Sequence, residues 1–186
     1  MQWVCGNRVL DLSKPLIMGI VNVTPDSFSD GGQHNSASAA VAHAMKLVAD
    51  GADILDIGGE SARPGAQDVS VNEELDRVLP VVEKLAQTGA VISVDTSKPE
   101  VMKQAVKAGA HIINDIRALQ LPGAIEVAAD SNAGICLMHM QGAPRTMQQA
   151  PHYENLLSEV ESFLLERARQ CEAVGIAHDR LCLDYG

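Results

Sequence analysis

Six short apolar runs, Ile17–Val21, Ile54–Ile57, Val91–Val94, Ile112–Ile113, Ile135–Met138 and Leu181–Leu183, each carry at or beside their end a residue able to hold a ligand. These residues are Asn22, Asp56, Asp95, Asn114, His139 and Asp184. Any one of them can merely begin a turn or cap a helix. Six in succession point to a shared pocket, because in barrels and open α/β sheets the C-terminal strand ends lie on one face. Carboxylates supply acceptors there, and side-chain amides supply both donors and acceptors. His139 sits between two methionines with no H-E-x-x-H or paired-histidine spacing, so it reads as wall and loop rather than as a metal ligand. His34, His43, His111, His152 and His178 are scattered and carry no argument. No Ser-His-Asp or Cys-His motif stands out, although sequence order does not exclude a triad assembled in space.

The elements that would position these groups are legible from periodicity. Runs that are apolar at successive positions suit parallel strands covered on both faces, and their alternation with helices makes the class α/β. Ser97-Lys98-Pro99-Glu100 reads as a helix start, with Ser97 as the cap, and Gly109 ends that helix. Glu73–Leu85 is a second helix, with Leu75, Val78, Leu79 and Val82 on one face and Pro80 as a candidate kink. From Glu154 the set Leu157, Val160, Leu164, Ala168 and Cys171 predicts the longest helix of the chain, ending at Gly175. The segment beginning Gly51-Ala52-Asp53 recurs in outline as Gly109-Ala110-His111, each a helix stop leading into a buried strand. A barrel is preferred to a doubly wound sheet, because no glycine-rich nucleotide signature follows the first strand and polar groups come from all six strand ends.

Composition narrows the function classes. The 186 residues suit a single globular domain, 46% of them hydrophobic, and a formal net charge of −10 argues against nucleic acid and anionic membrane as partners. It does not exclude phosphate chemistry, since a metal ion, local cations and helix N-termini set the sign inside a pocket. Cys5, Cys136, Cys171 and Cys182 form no CxxC pair, which fits reduced thiols and a cytoplasmic location. Neither a signal peptide nor an apolar run of membrane-spanning length is present in the sequence.

The segment Met18-Gly19-Ile20-Val21-Asn22-Val23-Thr24-Pro25-Asp26-Ser27-Phe28-Ser29-Asp30-Gly31-Gly32 resembles, nearly letter for letter, the first loop signature of the dihydropteroate synthases. Asp56-Ile57-Gly58-Gly59-Glu60-Ser61-Ala62-Arg63-Pro64-Gly65-Ala66 is similar to the second. Ser93-Val94-Asp95-Thr96, Asn114-Asp115-Ile116 and Met138-His139-Met140-Gln141-Gly142 match further blocks in the family's order, so the likeness runs from about Leu10 to Asp184. The resemblance implies a (β/α)8 TIM-barrel type fold, here incomplete with about six of eight βα units, as one pterin-binding domain over 1–186. It implies a transferase of folate biosynthesis joining a pterin pyrophosphate to 4-aminobenzoate, a sulfonamide target with Mg²⁺ as cofactor, and a homodimer.

By the same resemblance Asp95, Asn114 and Asp184 would hold the pterin, and Ile116 and Met138 would wall its ring. Asn22 would ligate Mg²⁺ near the pyrophosphate, with Thr24 and Ala62 at the substrate. Phe28, Arg63 and Pro64 would frame the 4-aminobenzoate site. Asn22, Arg63 and Asp95 are the catalytic candidates. Two departures from the family pattern stand out. Ala62 replaces a residue that usually carries a hydroxyl, removing one donor worth about 1 kcal/mol. The chain also reads Asp184-Tyr185-Gly186 where the family continues Asp-Pro-Gly-x-Gly, without the family's strands seven and eight and their lysine, arginine and histidine. The expectation is therefore a truncated chain of weak or no turnover. Two alternatives accompany it: a non-catalytic pterin-binding fragment, and a methyltetrahydrofolate-type pterin methyltransferase domain. The latter is disfavoured by the loop after Asn22.

Overall fold

The computed structural model describes residues 1–24, 32–61, 68–144, 146–147 and 150–186, with backbone only for 32–36. The site candidates Phe28, Ala62, Arg63 and Pro64 lie outside the described residues. The chain opens with an antiparallel hairpin, β1 (Gln2–Cys5) and β2 (Arg8–Asp11), turned at Gly6. Gly6 has φ +64°, which suits the first central position of a type II′ turn and not a residue with a Cβ. Six parallel strands follow: β3 (Met18–Asn22), β4 (Ile54–Gly58), β5 (Val91–Asp95), β6 (Ile112–Asp115), β7 (Gly134–Met138) and β8 (Leu181–Asp184). They lie side by side in chain order. An order that never reverses is that of a barrel wall, whereas a doubly wound sheet has a switch point.

Five helices are described: α1 (Gly32–Ala49), α2 (Val71–Ala86), α3 (Pro99–Ala108), α4 (Ala124–Asp130) and α5 (Leu156–Ala173). α1 has a face of small residues, Ala37, Ala40 and Ala44, all buried, that lets it lie close to the sheet. A Cβ on Gly19 of β3 would come within 3.1 Å of Leu47 Cδ1 on this helix. α2 starts with a capping box between Ser70 and Glu73 and continues through Pro80 to Ala86. α5 is as long as α1, both 18 residues, and not longer; its buried stripe is Val160, Leu164, Ala168 and Cys171, while Leu157 is 81% exposed.

The start of α3 corrects the sequence reading. Lys98, not Ser97, is the N-cap residue, and it makes no side-chain cap bond. The Ser97 hydroxyl instead donates to the buried Asp115 carboxylate at 2.5 Å, while Thr96 Oγ1 accepts from the Lys98 amide. A carboxylate is the stronger acceptor and outcompetes a free helix amide for the serine. Pro99 starts the helix without an amide to satisfy, and Gly109 ends it at φ +116°.

Alternate residues of each strand face two cores. Outward, Val21, Leu55, Ile57, Ile92, Val94, Ile113, Ile135 and Leu137 pack on the helices. Each such aliphatic side chain contributes about 1.5–3 kcal/mol on burial. Inward, Ile54, Ile112 and Cys136 meet Trp3 and Cys5 of the hairpin, which stoppers the lumen at the N-terminal strand ends. Trp3 Nε1 donates to the Arg180 carbonyl at 2.9 Å, joining the hairpin to the 3-10 turn His178–Arg180 that leads into β8. With its floor closed, the lumen opens at the C-terminal strand ends.

Candidate functional site

Strand register decides which side chains meet. Asn22 pairs with Gly58, Gly58 with Asp95, Asp95 with Asn114, and Asn114 with Cys136. These positions form one row across five strands, turned to the lumen by the two-residue alternation of a strand. Gly58 leaves the row open at its centre. A Cβ there would lie 3.4 Å from Asp95 Oδ2 and 3.6 Å from Asn22 Oδ1, so the two side chains converge over the glycine. Met138 and Asp184 pair with each other one step higher, on β7 and β8. Asn22, Asp95, Asn114, Met138 and Asp184 thus border one cavity mouth. Asn22 and Asp184 are exposed and the other three half-buried. Thr24, half-buried, follows directly on Val23, whose amide bonds to the Gly58 carbonyl at 2.7 Å.

Two of the six polar strand residues, Asp56 and His139, lie away from the mouth. β4 runs on to Gly58, so Asp56 lies inside the strand, one row below the mouth. It is buried and accepts from Asn114 Nδ2 at 3.0 Å through Oδ2, while Oδ1 has no hydrogen-bond partner among the described residues. His139 turns away from the lumen. Its buried ring packs edge-on against Phe163 at 5.2 Å and beside Tyr153 at 5.9 Å, the structural wall expected of it.

Burial is the first cause of the unusual electrostatics here. It raises the Asp56 carboxyl, and Ser93 and Asn114 offset only part of the rise. Asp95 is pushed up to about 8, by burial first and then by the negative charges of Asp56, Asp115, Glu74 and Glu60. At neutral pH Asp95 is therefore largely the neutral acid, able to donate as well as accept. Perturbed carboxyls in a cleft are a mark of a functional site.

Behind Asp95 a cavity of about 380 Å³ is lined by Glu60, Ser61, Glu74, Lys98, Ile116 and Arg117, among others. The Lys98 ammonium bridges Glu60 and Glu74 and so ties the start of α3 to the segment after β4 and to α2. Burial disfavours that ammonium, but the two carboxylates outweigh it and raise its pKa. Arg77 Nη1 fixes the same segment by donating to the Gly59 carbonyl at 2.8 Å.

Ile116 is set in this cavity by the turn that follows β6. The Asp115 carboxylate accepts from the Arg117 amide at 2.9 Å and the Leu119 amide at 2.8 Å. Ala118 and Leu119 are held left-handed, at φ +50° and +58°, a conformation costing roughly 1–2 kcal/mol each. Arg167 on α5 secures them from behind, its Nε donating to the Ala118 carbonyl at 2.8 Å and its Nη2 to that of Leu119 at 3.0 Å. Sequence reasoning put Asp56 at the end of its strand rather than inside it, and missed the Lys98 bridge and Arg167. Alternation along Ile54-Leu55-Asp56-Ile57-Gly58 was the available signal for the first; the other two are long-range and left none.

The family described as "Pterin binding enzyme" matches residues 18–186. The dihydropteroate synthase of Escherichia coli (strain K12) is 60% identical over 178 residues, covering 95% of this chain and 63% of that protein. The chain thus spans less than two thirds of that relative's length. A crystal structure of the Yersinia pestis dihydropteroate synthase with a sulfonamide drug superposes with a TM-score of 0.92 at 53% identity, covering 100% of this chain and 68% of the other. The Burkholderia cenocepacia dihydropteroate synthase complexed with 7,8-dihydropteroate gives a TM-score of 0.89 at 44% identity, covering 100% and 63%.

Proposed function

Because the chain belongs to the pterin-binding enzyme family, we propose that it forms the pterin pocket of a dihydropteroate synthase. The reaction joins 6-hydroxymethyl-7,8-dihydropterin pyrophosphate to 4-aminobenzoate and yields 7,8-dihydropteroate and pyrophosphate. The observation that carries this reading is the lumen row of Asn22, Asp95 and Asn114 below Met138 and Asp184. The pyrimidine edge of a pterin offers adjacent N–H donors and a carbonyl acceptor. Asp95 and Asp184 meet the donors, and the amide of Asn114, oriented by Asp56, meets the acceptor. Ligands lacking those groups leave the half-buried Asp95 and Asn114 unpaired at about 1–3 kcal/mol each, so the pocket selects pterins. Ile116 and Met138 flank the ring.

Chemistry takes place at the exocyclic methylene. Its C–O bond breaks with the electron pair leaving on pyrophosphate, the electron-rich ring stabilises the carbocation, and the arylamine nitrogen forms the C–N bond and releases a proton. A neutral arylamine needs positioning more than activation, so no side-chain nucleophile is required. Arg63, Pro64 and Phe28 are proposed to provide that positioning. Among the described residues no group of three or more His, Cys, Asp or Glu side chains is arranged to hold a metal. Asn22, a neutral oxygen donor at the mouth, fits Mg²⁺ as a single protein ligand, because Mg²⁺ commonly keeps waters and takes its other ligands from substrate phosphates. Bound there, Mg²⁺ would spread the charge of the departing pyrophosphate.

Calorimetry tests the reading. Binding of the pterin pyrophosphate followed by 4-aminobenzoate, with release of pyrophosphate, is expected. Pterin binding without the second step would mark a non-catalytic fragment, and no pterin binding would refute the pocket. A sulfonamide is expected to compete with 4-aminobenzoate. A cytoplasmic location and a homodimer belong to the same proposal, read out by cell fractionation and by light scattering. Among the described residues no helix is long and apolar enough to cross a membrane.

A further inference from the structure

Cys136 and Cys182 are direct partners in the β7–β8 ladder and pack together in the lumen cluster. Neighbouring strands run about 4.8 Å apart, so the two Cα atoms fall within the range of roughly 4.4–6.8 Å that a disulfide spans. Both are free thiols, and each perturbs the ionisation of the other. The neighbouring Cys136 thiol brings the Cys182 thiol down to about 7, against burial and Asp184, which push it up. Cys182, with burial, drives Cys136 in the opposite direction. The two also differ in access: Cys182 is half-buried, whereas Cys136 is buried.

The other thiols are poorly placed to compete. Cys5 shares the cluster, but it is fully buried, directed toward the Trp3 carbonyl and pushed up to about 12, chiefly by burial. Cys171 lies on α5 in the outer core. A reachable thiol with a low pKa beside one buried partner is the arrangement of a peroxide-reactive cysteine and its resolving cysteine.

We propose that Cys182 and Cys136 are an oxidation site, at which hydrogen peroxide converts the pair to a disulfide on the lumen wall beneath Asp184. The Cys182 thiolate attacks one peroxide oxygen; an S–O bond forms, the O–O bond breaks, and the departing oxygen leaves as water after taking up a proton. The Cys136 sulfur then attacks the sulfenic sulfur. An S–S bond forms, the S–O bond breaks, and hydroxide leaves with the Cys136 proton as a second water. Two thiols lose two electrons in all, and these reduce one peroxide to two waters. The link would tie β8 to β7 two residues below the Met138–Asp184 pair.

The folded chain, treated with dilute hydrogen peroxide, alkylated under denaturing conditions and proteolysed, is examined by mass spectrometry. A Cys136–Cys182 peptide pair is expected, formed at a rate independent of chain concentration and reversed by dithiothreitol, with Cys5 and Cys171 alkylated. In Cys136→Ala a sulfenic-acid trap such as dimedone should mark Cys182; mapping of the unsubstituted chain decides the matter even if that variant folds poorly. A link to Cys5, over-oxidation of Cys182 with Cys136 still alkylated, or no reaction below unfolding concentrations of denaturant would each overturn the proposal.

Discussion

Replacing Asp95 by asparagine removes a carboxyl that the fold pushes well above its ordinary ionisation. In the native chain this group titrates at about 8, against 3.8 for an unperturbed carboxyl. Between those values the native state keeps a proton that the unfolded chain has shed, so stability is fully present at low pH and declines as pH rises. From pH 4 to pH 7 the loss is up to roughly 4 kcal/mol, at about 1.4 kcal/mol for each pH unit, and the buried neighbour Asp56 adds to it in the same direction. His111 contributes the opposite slope, because burial and then Arg8 lower its pKa. Urea titrations at several pH values between 5 and 7.5, on both proteins, separate the two. Asp95→Asn should flatten the decline and be the more stable protein at pH 7, while losing pterin affinity. An unsubstituted chain whose urea midpoint rises across this range, or a variant with the same slope, would refute the electrostatic account of the lumen.

Three other substitutions test the supports of the site. Gly134→Ala puts a Cβ 2.5 Å from Cys5 Sγ and 3.0 Å from Trp3 Nε1, so the hairpin must shift; a loss of about 1–3 kcal/mol is expected from urea unfolding. Lys98→Met strips the cation from Glu74, whose side chain is 1% exposed, and should cost about 3–5 kcal/mol at pH 7, with most of it recovered when Glu74→Leu is added. Arg167→Ala frees the carbonyls of Ala118 and Leu119; it should weaken pterin binding more than 4-aminobenzoate binding in calorimetry, and Arg167→Lys should recover part of the loss.

Uninterrupted apolar runs and glycine helix stops made the order of strands and most of the helices readable in the sequence. Both repeated stops, Gly51 and Gly109, are left-handed, at φ +108° and +116°. The opening hairpin was not recognised, although Gly6-Asn7 is a known turn pair, because each strand has only four residues and β2 alternates between half-buried and exposed positions. α1 escaped because alanines, rather than large aliphatics, make its buried face. Around the site, Asn22, Asp95, Asn114 and Asp184 could be named in advance because the strands share one direction. The role of Asp56 depended on how far β4 extends, and that is fixed by its pairing with β5, not by its own residues. Ser97 looked like a cap because a local pattern cannot reveal a carboxylate 18 residues away.

The bond from Trp3 to Arg180 spans 177 positions, and this bears on biosynthesis. At about 5–20 residues per second, a ribosome needs roughly 9–35 s to reach the acceptor after adding the tryptophan. Until then the tryptophan has no partner for its N–H, and the hydrophobic plug lacks the turn that anchors it. Assembly of the vessel's base is therefore a late, non-local event, and the nascent protein should stay susceptible to proteases near its N-terminus until residue 180 has cleared the exit tunnel.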